Sequence, residues 1–309
     1  VADSRATGPS AWSDWKATLM RDMYLKVDAF LAHMDDSADV PDINDRQFEE
    51  GAAWLRDQVA KLVRGESGLR MRVADLSADY LNSFTPETVA GHLRLHRDYY
   101  RVIRQKSLTV AQKGAGHWSI LVMSRDNPGL LAKICGVMAL NNLTVVNAQI
   151  FTWPDDTVVD VIDVRPSDGL PFEERDWQKL NEDLDKAVSH RLGLSYRLYE
   201  KLKNSYSYKR ELTGSQEHRV VLDNDGSDDF TIIEVHATDL PGQLYRITQA
   251  LADFGINIHK AFIATEIGQL IDVFYVLDRN GERITAEEYR QEVIHGLLHA
   301  IGEEEAGVK

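Results

Sequence analysis

The chain has 309 residues, enough for two or three domains, and its 43% apolar and 27% charged residues are ordinary for a globular protein. No stretch approaches the roughly 20 continuous apolar residues that cross a bilayer, and the first ten residues lack the basic and apolar parts of a secretory signal, so a cytoplasmic location is expected. A net charge of −14 argues against nucleic-acid binding, which usually needs a basic face.

The first part of the chain, residues 1–110, is predicted to be helical. Apolar residues recur three or four positions apart in two stretches, the pattern of amphipathic helices. These are Trp12, Trp15, Leu19, Met23 and Val27, and then, from Asp45, Phe48, Ala52, Leu55, Val59 and Leu62. Thr85 is placed to cap a further helix that begins with Pro86. His92 and His96 lie four apart on that helix, and we interpret them as packing or surface residues.

A polar run, Lys106 to Gly116, is predicted to be a linker, and the pattern changes after it. From residue 117 the order is strand, helix, strand, strand, helix, and the last strand of this unit is hard to place. The single cysteine, Cys135, lies in the first of these helices and fits a small core residue.

The same order recurs 113 residues later, which predicts two homologous domains. Seven residues of the first copy match seven of the second at that one offset. They are Ile120, Val122, Asp126, Pro128, Gly129, Leu131 and Ile134, which match Ile233, Val235, Asp239, Pro241, Gly242, Leu244 and Ile247. The stretch between the copies is basic and rich in tyrosine, which is compatible with stacking on nucleotides or, in the plainer interpretation, with a solvated connecting helix.

The turn from the first strand to the first helix of each copy is the candidate binding element. It reads Asp126-Asn127-Pro128-Gly129 in one copy and Asp239-Leu240-Pro241-Gly242 in the other. A helix N-terminus favours a carboxylate, glycine leaves the backbone open, and the aspartate can face an ammonium group. An α-amino acid carries both charges on one carbon. The alternative is that the aspartate only caps the helix.

The pattern strand, D-x-P-G-x-L, helix, followed by N-x-x-V-V-N-A-x-I or G-I-N-I-x-x-A-x-I, resembles the ACT domain, a regulatory module that binds amino acids. The pair, with Asp160 and Asp272 in similar third strands, is similar to the C-terminal tandem of the bifunctional PII uridylyltransferase/uridylyl-removing enzymes. Val1 to Pro9 resembles the end of the HD phosphohydrolase domain of that family. Residues Phe84 to His92 resemble the helix that joins that domain to the tandem.

This resemblance implies an α+β fold, in which an N-terminal helical region precedes two ferredoxin-like βαββαβ (ACT) domains with antiparallel sheets. The expected boundaries are 1–110 for the end of the HD domain and the connecting helices, 117–195 for the first ACT domain, 196–217 for a linker and 218–305 for the second ACT domain. The family transfers UMP from UTP to the signalling protein PII when nitrogen is scarce and removes it when glutamine is plentiful. Glutamine is therefore the expected effector and PII the expected protein partner.

The residues expected to bind the effector follow from the same match. They are Asp126, Asn127, Pro128, Gly129, Leu130 and Leu131 in the first turn, Asp239, Leu240, Pro241, Gly242, Gln243 and Leu244 in the second, and Thr144 and Asn257 at the entry to the second strands. The second turn departs from the family, because Leu240 replaces the usual arginine and Gln243 the usual leucine.

Catalysis is not expected of this chain. It contains no glycine-serine phosphate turn with paired carboxylates for magnesium and no His-Asp pair, so Mg²⁺ and UTP would belong only to other domains of a parent enzyme. Asp3 matches the last metal-ligand aspartate of the HD site and would be a remnant of it.

Two alternative functions remain open from the sequence. The chain could be a non-enzymatic ACT regulator, of transcription for example, that binds another amino acid. It could instead be an interaction scaffold in which the D-x-P-G turns are purely structural.

Overall fold

A computed structural model describes residues 45–114, 116–167, 169–203, 218–238, 240–266 and 269–302. The predicted helix at Trp12 to Val27, Asp3 and Asp239 lie outside these residues. The described chain forms two compact units. The first contains the residues up to Arg104 together with Thr152–Thr157, and the second contains the remainder.

The first unit is helical, as predicted. Its helices are α1 (Asp45–Leu62), α2 (Leu69–Ala74), α3 (Ala78–Ser83) and α4 (Pro86–Ile103). The Thr85 side chain accepts a hydrogen bond from the Thr88 amide and Pro86 opens α4, so the predicted cap is confirmed. α1 contributes the fully buried Ala52 and Val59 to the core of this unit.

The two histidines of α4 are buried polar residues of this core. His92 Nδ1 and the hydroxyl of Tyr80 are 2.7 Å apart, and burial lowers the pKa of His92 to about 4. His96 is 1% exposed and its Nε2 lies 3.2 Å from the Asp155 carboxylate. The interpretation of these histidines as packing residues agrees with their positions.

The segment Thr152–Thr157 completes the core of the helical unit. The Trp153 ring meets Tyr80 edge-on, with the centroids 5.6 Å apart, and only 5% of Trp153 is exposed. Asp155 accepts a hydrogen bond of 3.0 Å from Arg72, and the Thr157 hydroxyl lies 3.1 Å from His96 Nε2. A hairpin loop of the chain is thus part of a buried helical core.

The second unit is an eight-stranded sheet with helices. The strands are β1 (Leu108–Lys113), β2 (Trp118–Arg125), β3 (Leu143–Gln149), β4 (Thr157–Pro166), β5 (Arg219–Asp223), β6 (Thr231–Thr238), β7 (Asn257–Glu266) and β8 (Gln269–Leu277). The helices are α5 (Leu130–Leu140), α6 (Glu174–Val188), α7 (Leu194–Leu202), α8 (Gln243–Asp253) and α9 (Glu287–Gly302). The strand order is β1-β2-β4-β3-β7-β8-β6-β5, so each copy supplies four neighbouring strands.

The predicted α+β class is confirmed, and the structure locates the strand that the sequence left unplaced. In each copy the outer strand precedes the βαββα stretch, as β1 in the first copy and β5 in the second. The prediction of a linker at Lys106 to Gly116 is therefore wrong for Leu108–Lys113. That segment is short and half of its residues are polar, as is common for an edge strand with one neighbour.

The stretch between the copies begins with a packed helix. Leu194 and Leu198 of α7 are buried, whereas Tyr196 and Tyr199 are 65% and 63% exposed. α7 is thus an amphipathic helix with one face on the protein. Residues 204–217, the rest of the predicted linker, lie outside the described residues.

Among the described residues, no helix is both long and apolar enough to cross a membrane.

Candidate functional site

The two copies are joined at equivalent residues. β3 and β7 pair antiparallel, and Ala148 lies opposite Ala261, which is its counterpart 113 positions later. Antiparallel pairing centred on equivalent residues makes a local two-fold axis, and α5 and α8 pack on each other beside it. We call this junction of β3 with β7 and of α5 with α8 the seam.

Cys135 of α5 and Thr248 of α8 are also counterparts at the same offset, and the threonine hydroxyl contacts the cysteine sulfur. Burial, with the Asp272 carboxyl nearby, raises the pKa of the Cys135 thiol well above its ordinary value. Cys135 is 4% exposed, so it is a core residue of the seam, as the sequence indicated.

The first D-x-P-G turn precedes α5. Gly129 has a φ of 69° and is the N-cap, so the N-cap position offers no side chain, and the Leu130 amide donates to the Asn127 carbonyl at 3.0 Å. The left-handed φ gives a second reason for glycine at this position. Asp126 and Pro128 are exposed, and the Asn127 amide donates to the Arg125 carbonyl at 2.9 Å.

The first turn lies at one end of the seam. A Cβ atom added to Gly129 would be 3.6 Å from the Cβ of Ala252, near the C-terminus of α8. The start of α5 therefore lies beside the end of α8. Leu130, the first residue of α5, is 4% exposed and belongs to the apolar core, whereas Leu131 is half-buried.

The second turn has the same backbone form but different surroundings. Gly242 has a φ of 80° and is the N-cap of α8, and the backbone amide of Gln243 donates to the Leu240 carbonyl at 2.9 Å. A Cβ atom added there would lie 3.3 Å from Cδ1 of Leu202 in α7. Pro241 is exposed, while Leu240 and Leu244 are half-buried.

Gln243 is the largest difference between the two turns. It stands where the first copy has the apolar Leu130, and it is 1% exposed. Neither its Oε1 nor its Nε2 has a hydrogen-bond partner. A buried amide without partners costs free energy, so this position calls for an explanation other than packing.

The hydrogen-bond partners of the two strand-entry residues do not belong to either turn. The Thr144 hydroxyl lies 2.8 Å from Ser167 Oγ, and the Asn257 amide approaches the Asp278 carbonyl at 3.5 Å. Thr144 lies in β3 and Asn257 opens β7, the two strands that form the seam. Their role in binding stays a prediction.

The structure adds one acidic residue that sequence reasoning did not include in the site. Asp160 of β4 is 1% exposed, and its Oδ1 has no hydrogen-bond partner. Burial raises the pKa of Asp160 strongly, an amide hydrogen bond from Phe151 opposes this, and the charge of Asp126 raises it further. The electrostatic coupling connects a buried acid of the sheet with the aspartate of the first turn. The repeat pairs Asp160 with Asp272, which is also fully buried.

The described residues include no group of three or more histidine, cysteine or acidic side chains that could hold a metal ion.

Comparison with known proteins identifies a domain family and a set of related enzymes. Residues 231–293 match the ACT domain family. The chain is 31% identical over 290 residues to the bifunctional uridylyltransferase/uridylyl-removing enzyme of Gluconobacter oxydans, which covers 92% of the chain and 30% of that enzyme. It is 30% identical over 311 residues to the enzyme of the same name from Azospirillum brasilense, covering 99% of the chain and 32% of the enzyme. The chain thus spans about a third of the length of these curated relatives.

Proposed function

Because the chain is homologous over nearly its whole length to part of the bifunctional uridylyltransferase/uridylyl-removing enzymes, we propose that it is the regulatory, glutamine-sensing portion of such an enzyme. The match is consistent with a C-terminal portion. In this proposal uridylyl transfer and removal, with PII as the protein substrate, reside in the parts of the enzyme beyond this chain.

The observation that carries the sensing role is the duplicated turn. Each copy starts a helix with a glycine N-cap in the left-handed region, and both helices pack at one seam. A helix N-terminus attracts a carboxylate, and Asp126 is exposed in the turn before the first one, where it can attract an ammonium group. These are the two charged groups that every free α-amino acid carries.

Regulation would follow from the seam. A ligand changes an equilibrium only through its different affinity for two conformations. A glutamine held at the start of α5 would contact the end of α8 as well, because Gly129 and Ala252 are neighbours. Binding would then favour one relative position of the two copies, and the coupled catalytic domains would respond.

Isothermal titration of the chain with glutamine tests the proposal, with Asp126→Ala and Gly129→Val as site variants. Valine at Gly129 also strains the backbone, so Gly169→Val is the matched control, since Gly169 has the same φ of 69° and open space around it. We expect the control to bind like the unmodified chain and both site variants to bind at least about tenfold more weakly. Asp126→Ala would lose one charge-assisted contact, and the side chain of Gly129→Val would block access to the backbone. No heat change at millimolar glutamine with the unmodified chain would contradict the proposal.

A further inference from the structure

We propose that the start of α8, at Gly242 and Gln243, is a gated site for a ligand that carries a carboxamide, with Leu202 as the gate and Gln243 as the residue that recognises the amide. The inference rests on the proposed function and goes beyond it, because it assigns a specificity residue and a closing residue to one of the two turns.

Gln243 is the observation that indicates a ligand. It is the first residue of α8, directly after the N-cap Gly242, and it is almost completely buried with both polar side-chain atoms unpaired. Its counterpart Leu130 shows that an apolar side chain suits the same place in the fold. The unpaired side-chain carboxamide of Gln243 can therefore form hydrogen bonds with a ligand, which a leucine at this position could not.

The two unpaired atoms define the chemistry of that use. Nε2 of Gln243 donates and Oε1 accepts, so a complementary group must offer one acceptor and one donor. A carboxamide offers both, whereas an ionised carboxylate only accepts and would leave Oε1 unpaired. The side chain of Gln243 thus discriminates between ligands of nearly equal shape, such as glutamine and glutamate.

Leu202 covers the start of α8. Its Cδ1 lies 3.3 Å from where a Cβ of Gly242 would be, so it covers the glycine that exposes the backbone. Lys201 holds this end of α7 through hydrogen bonds of 2.7 and 2.8 Å to the carbonyls of Ala139 and Leu140. The other end of α7 is held by the Ser195 and Tyr245 hydroxyls, which lie 2.8 Å apart.

The first turn is covered differently, and Lys133 Nζ lies 3.4 Å from its Pro128 carbonyl. Its glycine faces the methyl group of Ala252, a residue of the neighbouring core helix, at 3.6 Å. The two turns are therefore unequal, and a ligand at the second must displace Leu202 before it reaches Gln243. Pairing of the amide offsets the cost of that displacement.

The test is titration calorimetry in an Asp126→Ala, Gly129→Val background, which leaves the second turn as the site under study. We expect glutamine to bind at least about tenfold more tightly than glutamate, because glutamate would leave one hydrogen bond of Gln243 unmade. Gln243→Leu abolishes this preference, and Leu202→Ala tightens glutamine binding several-fold. Gln249→Leu is the control, because Gln249 lies on the same helix, is half-buried, and bonds Asp253.

A ligand-free readout accompanies the titration. Gln243→Leu removes an unpaired buried amide, so its thermal midpoint should rise, and a midpoint that falls would mean that the amide is paired. If the unmodified chain binds glutamine but the background variant binds none, or if Gln243→Leu keeps the preference, the inference is overturned while the proposed function stands. If the unmodified chain binds no amino acid, both are overturned.

Discussion

Ala148 lies opposite Ala261 in the pairing of β3 with β7, and the two residues occupy the same position of a 113-residue repeat. The duplicated domains thus meet about a local two-fold axis and share one continuous sheet. Both alanines are buried, at 2% and 1% exposure, under the packed helices of the seam.

A larger side chain at this axis should weaken the junction. We expect Ala261→Leu to lower the free energy of unfolding by about 1–3 kcal/mol, because added methyl groups in a packed interior force neighbours from their rotamers. Gln112→Leu, the same new residue at an exposed position of the edge strand β1, should change it by less than about 0.5 kcal/mol. Urea denaturation measures both. Equal effects would show that the seam is loosely packed.

Gly136 allows three helices of the second unit to approach closely. A Cβ atom there would be 2.5 Å from Leu194 Cδ2 and 2.8 Å from Tyr245 Cδ2. Gly136→Ala should therefore displace α7 and destabilise the protein by about 1–2 kcal/mol. Gly91→Ala is the matched control, since Gly91 also lies within a helix but has nothing within 4 Å of the added atom, and it should stabilise by about 0.5–1 kcal/mol. Thermal unfolding of the two variants tests this, and the changes in their midpoints relative to the unmodified chain are expected to have opposite signs.

His92 gives the helical unit a pH dependence. Its folded pKa of about 4 lies below the ordinary value of 6.5, so the unfolded chain takes up this proton first as the pH falls. Stability is therefore lost from about pH 6.5 down to pH 4, with a slope of up to about 1.4 kcal/mol per pH unit from this group. His92→Gln should flatten that part of the profile, measured as the difference in unfolding free energy between pH 7 and pH 5. An unchanged slope in the variant would contradict the burial of a neutral imidazole.

Asp160 should act in the opposite direction. Because burial raises its folded pKa above the ordinary value, the folded protein holds the proton, and its contribution to stability is complete at low pH and is lost as the pH rises. Asp160→Asn cannot ionise, so it should gain stability relative to the unmodified chain from pH 4 to pH 7. Asp163→Asn, at a half-buried position of the same strand, provides the comparison. If Asp160→Asn instead lost stability relative to the unmodified chain as the pH rises, Asp160 would be ionised in the folded state.

The sequence predicted the parts that depend on local pattern and duplication. Thr85 before Pro86 indicated where α4 begins, and the repeat indicated two similar domains whose turns lie before α5 and α8. These signals are carried by neighbouring residues, or by one register between two segments.

The sequence could not predict features that depend on tertiary packing. The short segment Leu108–Lys113 gives a weak strand signal, because half of its residues are polar and it lies at the sheet edge, and only its pairing with β2 identifies it. Leu202 over Gly242 depends on how α7 packs, and nothing in the local pattern encodes that contact. The sequence showed Gln243 as a departure from the family. The burial of its two unpaired polar atoms depends on the packing around the start of α8.

The loop between β3 and β4 has a practical consequence for engineering this protein. The tip of a hairpin is usually a safe place for an inserted tag or a protease site. Here Trp153 is almost completely enclosed by the helical unit, so an insertion would break a core instead of extending a surface.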